Sequence, residues 1–308
     1  MRESEASIRG RVMRDLIAHV TNDHLIGKKI KNGELRKKIG DSEPQWKCPD
    51  CFSLDVIPMD NFNMEYLQAK ENPNTEKVIL QLHGGGYVGA MRNAYRMFAG
   101  LYCEVSHGMS VLTPDYRVAP EHPYPAALED AYAAYCYLLE QGWFSEQIIV
   151  AGDSAGGGLA MALCHYLKDH GKQLPCGIIA MSPWTDLVAR GESYETNYER
   201  DPLFGKTRDS LIYNKDYIGD NDPYNAYISP LYGDFRGFPP MLIQVGSYEM
   251  LLSDSVDVAA KAREQGIKVR ISIYEGMFHI FQMAAKMLPE SKRAWVEIGK
   301  FIDVLLND

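Results

Sequence analysis

Short aliphatic runs separated by amphipathic stretches set the rhythm of this 308-residue chain. Residues 78–83, 110–114, 148–152, 177–182, 241–246 and 269–274 are short runs rich in Val, Ile and Leu. That pattern predicts strands buried on both faces, as in a parallel sheet. Between and after them, residues 93–106, 125–141, 155–169, 254–265 and 290–306 read as helices. The last shows the amphipathic spacing best, with Trp295, Ile298, Ile302 and Leu305 on one stripe that predicts docking against the sheet. Strand and helix alternating in this way imply a doubly wound α/β sheet with helices on both faces. Two earlier runs, 52–58 and 64–69, partly alternate apolar with polar residues, the signature of an antiparallel pair, and bring the expected sheet to eight strands.

Two segments lie outside this rhythm. Residues 7–38 predict helix, with Ile8, Val12, Leu16, Val20 and Leu25 at helical spacing on one face. Residues 188–232 interrupt the alternation with many tyrosines, Asp-Pro steps at Asp201-Pro202 and Asp222-Pro223, and a possible helix over 207–217. So long an insertion between core strands is usually functional. Residues 1–45 and 188–232 together predict a lid over a main domain spanning 46–308.

At 46% apolar residues the chain can bury a large core. Its net charge of −9 argues against nucleic acid or an anionic membrane as a main partner. A basic cluster at Lys28, Lys29, Lys31, Arg36, Lys37 and Lys38 is interrupted by acidic and apolar residues and reads as a solvated face. Of six cysteines, only Cys48 and Cys51 are spaced as a redox pair or half a zinc site, and no second pair supplies the other ligands. Residues 1–10 lack the apolar core of a signal peptide, and no apolar run reaches the length of a membrane span. A reduced, cytoplasmic protein without stable membrane insertion is the expectation.

Candidate chemistry begins at Gly152-Asp153-Ser154-Ala155-Gly156, a serine placed where a strand turns into a helix. Such a turn lifts the hydroxyl off the sheet edge, and the helix start brings the Ala155 N–H toward any charge developing beside it. His83-Gly84-Gly85-Gly86 ends another strand. Its glycines suit Gly84 and Gly85 as donors to an oxyanion, while the Lys-Ser/Thr ending of a phosphate loop is missing. His83 itself reads as a structural residue at a strand end. Of the histidines after Ser154, His165 and His170 belong to the following helix, whereas His279 lies in a loop past the last predicted strand and is the candidate base. The acid that would orient it is Glu249, three residues past Gly246, with Asp254 as the alternative at the start of a helix.

With these residues in view, the chain resembles the hormone-sensitive-lipase-like carboxylesterases, or bacterial family IV esterases, of the α/β-hydrolase superfamily. The likeness rests on His83-Gly84-Gly85-Gly86, Asp115-Tyr116-Arg117-Val118-Ala119-Pro120-Glu121-His122-Pro123, Gly152-Asp153-Ser154-Ala155-Gly156-Gly157 and Gly276-Met277-Phe278-His279. Ser182-Pro183-Trp184-Thr185-Asp186-Leu187 fits as well. The resemblance implies an α/β-hydrolase fold with a helical cap, Ser154 as nucleophile, His279 as base, and Gly84, Gly85 and Ala155 as oxyanion donors. It implies short- to medium-chain esters as substrates, no metal or organic cofactor, and a possible homodimer through an edge strand. Many members carry aspartate as the acid where this chain offers Glu249, a form seen in a subgroup. Tyr87, Trp184 and Phe278 are the candidate pocket residues. An amidase, deacetylase or peptidase on the same fold is the runner-up. A non-catalytic small-molecule receptor is disfavoured by the presence of His279.

Overall fold

The computed structural model describes residues 5–22, 26–34 and 43–307. Its centre is one eight-stranded sheet. In chain order the strands are β1 (Phe52–Pro58), β2 (Asn63–Ala69), β3 (Asn74–Leu82), β4 (Met109–Pro114), β5 (Ile148–Asp153), β6 (Gly177–Met181), β7 (Met241–Gly246) and β8 (Val269–Tyr274). They lie in the order β1-β2-β4-β3-β5-β6-β7-β8. β1 with β2 and β2 with β4 pair antiparallel, and every later pair is parallel. Every residue of β4, β5, β6 and β7 is buried, which explains their unbroken aliphatic runs.

The two-residue period of a strand divides the core into two layers. Ile79, Val111, Ile149, Ile179 and Leu242 face one side, where α3 (Asn93–Val105) and α8 (Pro289–Asn307) lie over them. There Trp295 sits edge-on to Phe98 and Tyr102, with ring centroids 5.3 and 5.0 Å away. Val78, Leu80, Val150, Ile178 and Ile243 face the other side, under α4 (Ala126–Glu140), α5 (Ala155–Asp169) and α7 (Leu252–Glu264). The strands therefore end along one edge, and β3, β5, β7 and β8 each hand a loop to the same region.

The N-terminal segment departs from expectation in two ways. Helix stops at Thr21 and resumes as a short α2, so the single helix expected over 7–38 is divided into α1 (Ile8–Thr21) and α2 (Ile26–Lys31). Leu25, Arg36, Lys37 and Lys38 lie outside the described residues. More consequential is the facing of α1. Ile8, Val12, Leu16 and Val20 are 72, 62, 57 and 43% exposed, so the apolar stripe points to solvent. Met13 and Ile17, on the opposite side, pack against the cluster that contains Phe278 and Leu288. Polar anchors decide this orientation: Ser7 N and Oγ donate to Glu290 at 2.6 and 3.0 Å. Arg14 donates to the Gly276 carbonyl at 3.3 Å and lies over the Tyr248 ring at 4.4 Å.

The insertion holds little regular structure. Beside the single turn of α6 (Ser193–Thr196), the helix expected over 207–217 reduces to the 3-10 turn Leu211–Tyr213. Asn214 and Thr207 explain why: their side chains accept from the amides two residues on, at 2.6 and 3.1 Å, and so compete with helical bonding.

Candidate active site

Ser154 follows the last residue of β5 and precedes the first of α5, with φ 52° and ψ −122°. That left-handed conformation is costly for a residue with a Cβ. It is held by Ser154 N donating to Met181 O and Trp184 N donating to Ser154 O, both at 2.9 Å. The turn has no room for larger neighbours: a Cβ on Gly156 would lie 2.0 Å from the Leu82 carbonyl oxygen. The small residues around the serine are thus required by the approach of α5 to β3.

Three side chains far apart in sequence meet at this turn. His279 Nε2 is 2.9 Å from Ser154 Oγ, and His279 Nδ1 is 2.8 Å from Glu249 Oε2. Glu249 is fully buried, and its other oxygen accepts from Ser182 Oγ at 2.7 Å and from Gly246 N at 2.5 Å. Phe204 covers the imidazole at 4.8 Å. Such a line allows the hydroxyl proton to pass to an imidazole whose tautomer and charge are held by the carboxylate. Asp254 has other partners. Its carboxylate accepts from the amides of Thr185 and Asp186, both at 2.7 Å. Burial, reinforced by the nearby Asp186, raises its pKa well above the ordinary carboxylate range. Sequence position places Asp254 where a helix cap belongs, yet α7 starts at Leu252 and the side chain turns away to the 185–186 loop.

The glycine loop corrects one expected donor. Gly84 N donates to Asp153 Oδ1 at 3.0 Å, so this amide holds the loop against the elbow instead of pointing into the cleft. Gly85 and Gly86 follow at φ 120° and 64°. At Gly86 a Cβ would come within 2.6 Å of Leu211, so only glycine fits between the loop and the insertion. His83 is buried beneath: it stacks on Tyr116 at 4.0 Å, and its carbonyl accepts from Tyr116 Oη at 2.6 Å. That is the structural place expected of it.

A cavity of about 340 Å³ opens beside Ser154 and His279. Phe278, Leu203, Ile280 and Met283 form its apolar wall, together with Met13 and Ile17 of α1. Tyr87 and Trp184 are not among the lining residues; Tyr87 stacks on Tyr217 at 3.8 Å, and both Tyr87 and Trp184 are buried in the main core.

Several supporting residues carry no motif. Ser182, in a left-handed turn at φ 46°, touches the acid directly. Asn197 Nδ2 donates to the carbonyls of Glu249 at 2.8 Å and Ser247 at 3.1 Å, tying the insertion to the loop that carries the acid. Asp201 accepts from Leu203 N at 2.8 Å, Phe204 N at 3.0 Å and Met250 N at 2.7 Å. Its burial raises the carboxyl even so. The Asp201-Pro202 step was the only signal that this stretch has a fixed shape. Cys48 and Cys51 are free thiols away from the site, and Cys48 lies 3.5 Å from the Phe52 carbonyl oxygen.

Comparison with known proteins agrees with this fold. Residues 79–283 match a family described as having the alpha/beta hydrolase fold. An acetyl-hydrolase of Streptomyces hygroscopicus is 37% identical over 249 residues, 80% of this chain and 82% of its own. An esterase of Acinetobacter venetianus is 37% identical over 255 residues, 82% of this chain and 83% of its own. Among solved structures, EstE5 soaked with p-nitrophenyl butyrate superposes with a TM-score of 0.88 at 33% identity, covering 98% of this chain and all of that one. An esterase of the bacterial hormone-sensitive lipase family superposes at 0.85 with 32% identity, again over 98% of this chain. With its eight-stranded sheet and the serine at the strand-to-helix turn, the chain belongs to the α/β-hydrolase fold family, as a carboxylic ester hydrolase of the hormone-sensitive-lipase-like branch.

Proposed function

We propose that the chain hydrolyses short- to medium-chain carboxylic esters through a Ser154–His279–Glu249 triad and an acyl-enzyme intermediate. The observation that carries this reading is the unbroken line of contacts from Ser154 Oγ through both imidazole nitrogens to Glu249 Oε2, at 2.9 and 2.8 Å. His279 Nε2 takes the Ser154 proton as Oγ attacks the ester carbonyl. The carbonyl oxygen becomes an anion held by amides of Gly85 and Ala155, with Gly86 in place of the engaged Gly84. The C–O bond to the alcohol then breaks, and the departing oxygen takes the proton from His279. Water, deprotonated by the same histidine, attacks the acyl-enzyme, and Ser154 Oγ recovers its proton as the acid leaves.

The residues named need no metal for this sequence of steps. α1 and the 188–232 segment act in it as a cap, because Met13, Ile17 and Leu203 supply part of the apolar wall of the cavity. A cavity of about 340 Å³ suits small soluble esters over emulsified fat. The acetyl-hydrolase relative and the p-nitrophenyl butyrate soak of EstE5 support short acyl groups. The test is a p-nitrophenyl series from acetate to decanoate with wild type and Ser154→Ala. Wild type should turn over the shorter esters, and Ser154→Ala should abolish turnover. Absence of wild-type hydrolysis of every ester would overturn the proposal.

A further inference from the structure

Two features have no part in the chemistry above: the outward stripe of α1 and the basic N-terminal segment. Ile8, Val12, Leu16 and Val20 recur every fourth residue and stay 43 to 72% exposed. Four aliphatic side chains in one row on a surface helix cost hydration free energy unless something covers them. The same segment inverts the charge of the chain. Residues 1–38 carry ten Lys and Arg against five Asp and Glu, a surplus of +5 on a chain whose total is −9. Arg9, Arg11, Lys28 and Lys29 are exposed, with Arg9 on the stripe itself, where its stem can lie along apolar neighbours while the guanidinium reaches outward. Asp15, at the border of the stripe, is paired with Arg14 at 3.0 Å. An apolar row with basic flanks is the pattern of a helix that lies in a lipid interface.

We infer that α1 docks the protein on an anionic phospholipid surface, with the aliphatic row in the headgroup boundary and the basic residues on lipid phosphates. Charge selects this occupant. A second copy would bring the same basic segment against itself, whereas an anionic bilayer offers the complementary charge along with an apolar layer for the row. Whole-chain charge misleads here because screening limits each surface to its own neighbourhood of about 8 Å at physiological salt. Docking also has a consequence for the cavity. Met13 and Ile17, on the inner side of the same helix, line it, and Met287 on its wall is 61% exposed. The helix that meets the bilayer is thus the wall past which an ester enters, so amphiphilic esters partitioned in the surface are the substrates this placement favours. That last step rests on the esterase reading; the docking does not.

Vesicle flotation of the whole protein tests it without any turnover. Wild type should float with phosphatidylglycerol-containing vesicles, far less with pure phosphatidylcholine, and lose the interaction as salt rises. The double variant Val12→Asp and Leu16→Asp should weaken flotation by at least about tenfold. Each of Arg9→Gln and Lys29→Gln should weaken it roughly fivefold. All four positions are exposed and lie outside the cavity, so turnover of a soluble acetate ester should stay at the wild-type level and report an intact fold. Failure of wild type to float, or equal flotation with both lipids, overturns the inference. So does a Val12→Asp-sensitive dimer in sedimentation that shows no vesicle binding, which would assign the row to a second copy.

Discussion

Replacing Glu249 by Gln isolates the role of the buried acid, because the surroundings dictate which way the new amide must point. Glu249 Oε1 accepts from Gly246 N at 2.5 Å and from Ser182 Oγ at 2.7 Å. A backbone N–H cannot be turned into an acceptor, so the amide oxygen of Gln stays at that position. Its NH2 group is then forced toward His279 Nδ1, which the carboxylate contacted at 2.8 Å. His279 must offer a lone pair at Nδ1 and carry its proton on Nε2, facing Ser154 Oγ. That tautomer cannot accept the hydroxyl proton. Changing a triad acid to its amide lowers kcat by about 10⁴-fold, close to 5.5 kcal/mol of transition-state stabilisation. The packing change is nearly isosteric, so the fold should persist. The assay is kcat on p-nitrophenyl butyrate, with a thermal melt as the control. Asp254→Asn is the matched comparison. Asp254 accepts two amide protons at 2.7 Å, which an asparagine oxygen can also do, so activity should stay within about tenfold of wild type. If Glu249→Gln keeps kcat within tenfold, or if Asp254→Asn loses more than Glu249→Gln, the assignment of the acid is wrong.

Three further expectations follow from the same geometry. Ser182→Ala removes one charge-assisted donor to Glu249 and should lower kcat roughly 10- to 100-fold with KM little changed, read by initial rates on a soluble ester. Unchanged kcat would deny Ser182 a positioning role. Gly156→Ala drives a Cβ to 2.0 Å from the Leu82 carbonyl oxygen and should destabilise by about 3 kcal/mol or more; a urea melt matching wild type would refute it. His165, whose imidazole is lowered to about 4 chiefly by burial, stays neutral in the native state while the unfolded chain binds a proton near 6.5. Its contribution is therefore present above about pH 6.5 and lost as pH falls toward 4, on the order of 3 kcal/mol. His165→Gln should flatten that acid limb in melts taken across the range, and an unaltered pH dependence would assign the limb to other groups.

The central strands were legible because a strand buried on both faces must be apolar throughout, and few other structures ask for that. Runs such as 148–152 and 241–246 accordingly fall in β5 and β7. Ser154 and His279 were legible for a related reason: a serine at a strand-to-helix turn and a histidine in a late loop occupy places that topology makes adjacent. The engagement of the Gly84 amide was not legible, since nothing local reveals that Asp153 accepts from it.

The amino-acid sequence alone determined the strand–helix alternation, and with it which strand ends share an edge and which side chains can meet there. These follow from local periodicity and chain order. Only the tertiary structure set Glu249, and not Asp254, against His279, placed Ser182 and Asn197 around Glu249, and buried Tyr87 and Trp184 away from the cavity. It also turned the aliphatic row of α1 outward, because Ser7 and Arg14 fix the helix by bonds to Glu290 and Gly276, hundreds of residues away. A hydrophobic pattern specifies that a helix has two faces; which one is buried depends on the long-range polar contacts that hold it.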